Sequence, residues 1–267
     1  MTDPIAEFKA RQRETWALGN FGEAATFTTV VAGHLVRFAG IESGQRILDV
    51  GCGTGVVAIT AARHGATVTG LDLTPELLEQ ARAIAPAAGV RDVEWREGDA
   101  ESLPFPDGAF DTVLSQFGHM FAPRPEVAVK EMLRVLKPGG RLAFATWPPE
   151  HFVGRAFALT ARYVQPPPGA APPVQWGDVN VVQQRLGSAA RDVRFERGVM
   201  GIPALSPEHF IQWQSAKIGP FIRTVRALEK EPAKLDEYRR EISALVASYM
   251  DGNVVRHEYL LTRAVKA

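Results

Sequence analysis

Three glycines fall within five positions of the run from Arg46 to Thr60, RILDVGCGTGVVAIT, between two apolar stretches. Gly51, Gly53 and Gly55 remove the β-carbons that would hold a ligand away from the backbone, and they permit the unusual dihedrals of a tight turn. The helical run that follows offers free N–H groups to the negative end of a ligand. Further along, Asp72 closes the run VTGLDL, where a carboxylate can accept both hydroxyls of a ribose. Its alternative role is a helix N-cap, a task for which Thr74 is already suited. His119, in SQFGHMFAP, brings an imidazole whose unperturbed pKa lies near neutral, able to take a proton from a hydroxyl, a phenol or an activated carbon. Packing, or capping of the next helix, is its alternative role. Cys52 has no histidine nearby in sequence and reads as a small packing residue rather than a nucleophile.

These residues need elements to hold them. Phe27, Val30, Val31, His34, Leu35 and Phe38 recur at helical spacing, which predicts a helix over about residues 24–39, ended by Gly40. Then RILDV reads as a strand, VVAITAARH as a helix, ATVTGLDL as a strand, and Thr74-Pro75-Glu76 opens a helix. The alternation continues through VEWREGD, FDTVLSQF, a helix across PEVAVKEMLRVLK halted by Pro138-Gly139-Gly140, and the strand RLAFATW. Short buried strands alternating with helices predict a parallel sheet covered on both faces. After Trp147 the texture changes. Two short helices flank a tract with five prolines between positions 166 and 173, read as an extended spacer or lid. RDVRFERGV and EYLLTRAVKA read as strands, and SPEHFIQWQ and KLDEYRREISALVASYM as helices.

The 267 residues suit a single large domain with an insertion. Lysine plus arginine and aspartate plus glutamate each number 30, so net charge gives no support for a nucleic-acid partner or an anionic membrane. A lone cysteine rules out an internal disulfide, and neither a secretory h-region nor a run long enough to span a bilayer is visible. The expectation is a cytoplasmic protein with no membrane span and no metal.

The glycine spacing separates two ligand classes. The dinucleotide fingerprint is G-x-G-x-x-G, whereas here Gly55 arrives one residue early and Val56 occupies the place of the third small residue. With Asp49 the motif becomes D-x-G-x-G-x-G, which resembles motif I of class I S-adenosylmethionine-dependent methyltransferases. EGDAESLPFPDGAFDTVLS and EMLRVLKPGGRLAFATW resemble later blocks of that family, so the likeness covers about residues 44–147. It is nearest the small-molecule branch that includes the ubiquinone and menaquinone biosynthesis methyltransferases. The resemblance implies a Rossmann-like α/β fold with a seven-stranded, mainly parallel sheet whose last strand is antiparallel. It also implies S-adenosyl-L-methionine as cofactor, with the turn of Gly51, Gly53 and Gly55 at the methionine portion, Asp72 at the ribose, Asp99 and Ala100 at the adenine, and Asp49 and Leu73 also among the cofactor-binding residues. Ser115 and Gln116 would line the space near the methyl group, and Trp16 and Phe21 would fold over the cofactor or pack the first helix. Asp111 would be structural.

Four segments follow from this reading: an N-terminal helical lid (1–43), the cofactor core (44–147), substrate-cap insertions including strand six (148–254, strand at about 191–199) and a final strand (255–267). The implied reaction is in-line methyl transfer to a small, apolar or aromatic organic acceptor, with no nucleic acid as substrate. An NAD-dependent oxidoreductase and a non-catalytic S-adenosylmethionine-binding regulator are the alternatives.

Overall fold

Asp3 caps the first helix, α1 (Pro4–Ala17), by accepting from the Ile5 amide at 3.0 Å, and Asn20 caps α2 (Phe21–Ala39) by accepting from Glu23 at 3.3 Å. The computed structural model describes residues 3–165 and 170–267. Helix α2 starts a few residues before the expected boundary and turns a different stripe to the sheet. Val31, Ala32, Leu35, Val36 and Ala39 are buried, whereas Val30 is 61% exposed. The small Ala32 and Ala39 let this face lie close against the strands. His34 turns toward the sheet edge, its Nδ1 2.8 Å from the Tyr259 hydroxyl and its Nε2 2.7 Å from Glu196.

The alternating pattern becomes β1 (Arg46–Val50), α3 (Val56–Arg63), β2 (Thr67–Asp72), α4 (Pro75–Ile84), β3 (Val93–Glu97), β4 (Phe110–Gln116), α5 (Pro125–Arg134) and β5 (Leu136–Thr146). There follow α6 (Phe152–Tyr163), α7 (Val179–Leu186), β6 (Ala190–Pro203), α8 (Pro207–Lys217), α9 (Gly219–Leu228), α10 (Pro232–Tyr249), β7 (Met250–Asp251) and β8 (Val254–Lys266). The strands form one sheet in the order β3-β2-β1-β4-β5-β8-β6, with the two-residue β7 beside β8. Strands β1 to β5 pair in parallel, and β8 runs antiparallel to both β5 and β6. The doubly wound fold expected from the sequence is the fold observed. Its core strands are apolar on both faces, with Ile47, Leu48, Val113, Leu114, Leu142 and Phe144 all inaccessible to solvent. Asp111 ties the far edge of the sheet, accepting from the Arg46 amide and from Lys137, whose ammonium holds its carboxyl below the usual range.

Two boundaries differ from the sequence reading. Helix α5 ends at Arg134, not Lys137, because Leu136 already pairs with Phe110. Residues 137–140 form the irregular start of β5, across which the register against β4 shifts. The expected Thr74 cap supplies only its position, since its hydroxyl makes no capping bond and the Thr74 amide instead donates to Asp72. The proline tract lies partly outside the described residues. Its end enters a 3-10 turn at Pro173–Gly177 that buries Trp176.

Candidate active site

The carboxyl ends of β1 to β4 open into a cavity of about 330 Å3, as expected for the ligand crevice of a doubly wound sheet. Asp49, Gly51, Gly53, Asp72, Leu73, Asp99, Ala100 and Gln116 line it, together with Trp16 and Phe21 from the two N-terminal helices. The structure brings most of the sequence candidates into one place, and leaves three outside.

The glycines divide their work. At Gly53 (φ +54°) the space a β-carbon would take is open, so only this member of the motif leaves free volume at its own position. A β-carbon on Gly51 would lie 2.8 Å from Gly118 Cα, and one on Gly55 would strike the Trp95 ring at 2.4 Å. These two glycines admit protein neighbours, and Gly55 does not line the cavity. Asp72 anchors the turn from the next strand, its Oδ2 accepting from Gly53 N at 2.8 Å and its Oδ1 from Thr74 N at 2.9 Å. Asp49 is 1% exposed, with Oδ2 accepting from Ala58 N at 3.0 Å and Oδ1 buried without a partner among the described residues. Burial pushes the Asp49 carboxyl up to about 7 and raises that of Asp72 as well. Burial also drives the Cys52 thiol far up, which suits an inert packing residue.

Ser115 and His119 require correction. Ser115 is fully buried and serves as a staple, donating to Val50 O at 2.6 Å and accepting from His119 N at 3.1 Å. His119 is 1% exposed, packed against Phe144 and Trp176 at centroid distances of 4.6 and 4.7 Å. Burial lowers its pKa to about 3, neither ring nitrogen has a partner among the described residues, and the residue does not line the cavity. A base must reach its proton, and this ring faces protein on all sides, so the packing role is the one observed.

Other residues at the cavity carried no sequence signal. Lys9 of α1 pairs with Asp99 at 2.5 Å and with Glu101 at 2.6 Å, and Glu101 also holds Arg124 at 2.8 Å. This network fastens the N-terminal helix over the ends of β3 and β4. Trp16 adds ring contacts to Phe21 (5.3 Å) and Phe121 (4.7 Å). Phe117, just past β4, adopts φ +60° and stacks face to face on Trp147 at 3.7 Å. Gln214 and His257, from α8 and β8, complete the lining.

Comparison with known proteins agrees with this geometry. Residues 48–144 match the family model described as a methyltransferase domain. An uncharacterised protein of Mycobacterium tuberculosis H37Rv is 38% identical over 257 residues, covering 95% of this chain and 93% of the relative. A demethylmenaquinone methyltransferase of Tropheryma whipplei is 38% identical over 131 residues, 49% of this chain and 54% of that one. Among solved structures, the YcgJ protein of Bacillus subtilis superposes with a TM-score of 0.62 at 21% identity, over 88% of this chain and 97% of that chain. The chain belongs to the class I S-adenosylmethionine-dependent methyltransferases.

The residues present fit that cofactor. S-adenosylmethionine carries an ammonium and a sulfonium, and the site offers two buried carboxylates, one with an unpartnered oxygen, beside the open position at Gly53. A carboxylate at Asp49, beside the glycine turn, would repel the pyrophosphate of a dinucleotide, which argues against the NAD alternative.

A pH effect follows from Asp49. Its folded pKa lies near 7, above the ordinary value of 3.8, so the folded state retains a proton that the unfolded chain releases. Its contribution to the stability of the ligand-free protein is therefore lost as pH rises from about 4 to 7, and is flat above that. Asp49→Asn is expected to melt higher than the native protein at pH 8 and close to it at pH 5, while binding S-adenosylhomocysteine more weakly. Thermal unfolding between pH 5 and 8, with and without that ligand, checks both. A native-like pH profile in the variant would show that Asp49 carries no such proton.

Proposed function

We propose that the protein transfers a methyl group from S-adenosylmethionine to a small, neutral, apolar or aromatic acceptor, and that residues after Trp147 form the cap that selects it. One observation carries this reading. The cavity wall contributed by residues beyond 146 includes Trp147, Phe157, Met200, Ile202, Trp213 and Phe221, and no Lys, Arg, Asp or Glu among the described residues. An acceptor with an ammonium, carboxylate or phosphate would leave a buried charge unpaired there, at a cost of several kcal/mol. The name of the Tropheryma whipplei relative, a demethylmenaquinone methyltransferase, is compatible with this chemistry.

The cofactor supplies a methyl group already activated on sulfonium, so the protein's task is alignment and exclusion of water. In this reading Asp72 accepts the ribose hydroxyls, the Gly51–Gly53 turn and Asp49 hold the methionine portion, and Asp99 with Ala100 meets the adenine edge. Lys9, already on the Asp99 carboxylate, keeps α1 closed over that end. Trp16, Phe21 and Phe121 shield the same end from water. Gln116 has a buried Oε1 at the cavity, without a partner among the described residues, and orients the reacting end.

The test is incubation of the protein with methyl-labelled S-adenosylmethionine and host cell extract. The label is expected in a low-molecular-weight product that partitions into organic solvent. Label recovered in nucleic acid or protein would overturn the acceptor class.

A further inference from the structure

Two polar side chains stand out in the otherwise apolar acceptor wall. His257, on β8, is 3% exposed and lines the cavity among aromatic rings, with Phe152 at 4.7 Å, Phe210 at 5.7 Å and Trp147 at 6.2 Å between centroids. Its Nδ1 lies 3.1 Å from the Val255 carbonyl, which can only accept. The proton of the neutral ring therefore sits on Nδ1, and Nε2 keeps a bare lone pair with no partner among the described residues. Gln214 is 7% exposed, lines the same cavity, and its side-chain amide has no hydrogen bond among the described residues. It stands one helical turn beyond Phe210, the ring that packs on His257, so both groups belong to one wall.

Buried polar groups without partners are costly unless a ligand completes them. The wall thus offers one bare acceptor and one amide donor, and no charge. A hydroxyl satisfies both: its proton goes to the imidazole, its oxygen receives the amide N–H, and a further lone pair remains free to react. Trp147, which touches His257, stacks on Phe117, whose neighbour Gly118 abuts Gly51 of the glycine turn. The pair is thereby connected through two stacked rings to the cofactor end.

Resting on the methyltransferase reading above, we propose that the acceptor is an uncharged phenol or alcohol, that Gln214 and His257 recognise its hydroxyl, and that His257 Nε2 is the base for methylation at that oxygen. In the step, the oxygen–carbon bond forms as the carbon–sulfur bond breaks, and the sulfur keeps that electron pair. The oxygen–hydrogen bond breaks and its proton passes to Nε2. One positive charge leaves the sulfonium and one appears on the imidazolium, so the cavity's net charge is unchanged until the proton escapes with product release. Burial lowers the His257 pKa to about 4, so the ring is neutral and its Nε2 lone pair is unprotonated at neutral pH.

Calorimetry on protein loaded with S-adenosylhomocysteine tests this, using 2-naphthol against 2-methoxynaphthalene and 1-decanol against methyl decyl ether. At least one hydroxyl compound is expected to bind about tenfold or more tightly than its ether, the scale of one buried hydrogen bond. His257→Phe should bring that ratio to about one, with S-adenosylhomocysteine affinity unchanged. In native protein, the histidine 15N signal of Nε2 should move with the hydroxyl compound and not with its ether, which keeps the test alive if the variant does not fold. No preference for either hydroxyl compound, a preference that survives in a folded His257→Phe, or an unmoved Nε2 signal overturns the proposal. Absence of S-adenosylhomocysteine binding would instead strike the cofactor reading, and the same comparison on ligand-free protein would still judge His257.

Discussion

Asp72→Ala is expected to lower the affinity for S-adenosylhomocysteine by roughly a hundredfold to ten-thousandfold while leaving a folded protein. The carboxylate already accepts from the Gly53 and Thr74 amides, and its remaining lone pairs line the cavity. Two ribose hydroxyls would add two charge-assisted hydrogen bonds of about 1.5 to 3 kcal/mol each, or roughly two to four powers of ten together. The alanine also frees the Gly53 amide, loosening the turn that the methionine portion needs. Folding suffers less than binding, because burial raises the Asp72 pKa, which means that solvent loss costs the charge more than its two amide partners return. Calorimetry and thermal unfolding on the same preparation separate the two effects. Undiminished affinity in folded Asp72→Ala would remove this residue from the site.

The second large effect concerns a contact between two glycines. A β-carbon on Gly118 would lie 2.4 Å from the Gly51 carbonyl oxygen and 2.7 Å from its Cα, and neither is a side chain that can swing aside. Gly118→Ala must push the turn after β1 away from the end of β4, and we expect a loss of about 3 kcal/mol or more. For a chain of this length that is a fall in Tm of roughly 6–12 °C. Gly53→Ala should behave in the opposite way. Its methyl group meets nothing, so stability falls only by about 1–2 kcal/mol for the left-handed backbone, and the main loss is of cofactor binding. A native Tm in Gly118→Ala, or native affinity in Gly53→Ala, would refute this division of labour.

These contrasts mark what could be read from the amino-acid order. The sheet was legible because its strands are short apolar runs separated by helices with ordinary caps; Gly53 and Asp72 follow from their places at strand ends, and Asp49 and Asp99 from the resemblance to the family's motifs. Their neighbours in three dimensions were not. Gly55 looks like part of a ligand cradle until Trp95, forty residues away, is found against it. His119 sits where a base would be useful, but Trp176 arrives from a distant turn to seal it off. His257 carries no motif, and only the packing of Phe152 and Phe210 against it reveals what it faces. Lys9 likewise gains meaning only when α1 folds back over β3.

Strands β6 and β8 stay paired along nearly their whole length although α8, α9, α10 and β7 lie between them in the chain. The connecting segment therefore leaves and re-enters the sheet at adjacent points, Pro203 facing Val254. Helices inserted there can lengthen, shorten or exchange side chains without moving either strand, and without disturbing the cofactor turn on the other side of β5. The proposed acceptor wall would thus be free to change on a fixed scaffold, with β8 contributing a polar group, His257, and the insertion the apolar ones. Descendants of one ancestral enzyme could in this way come to methylate different compounds while handling the methyl donor alike.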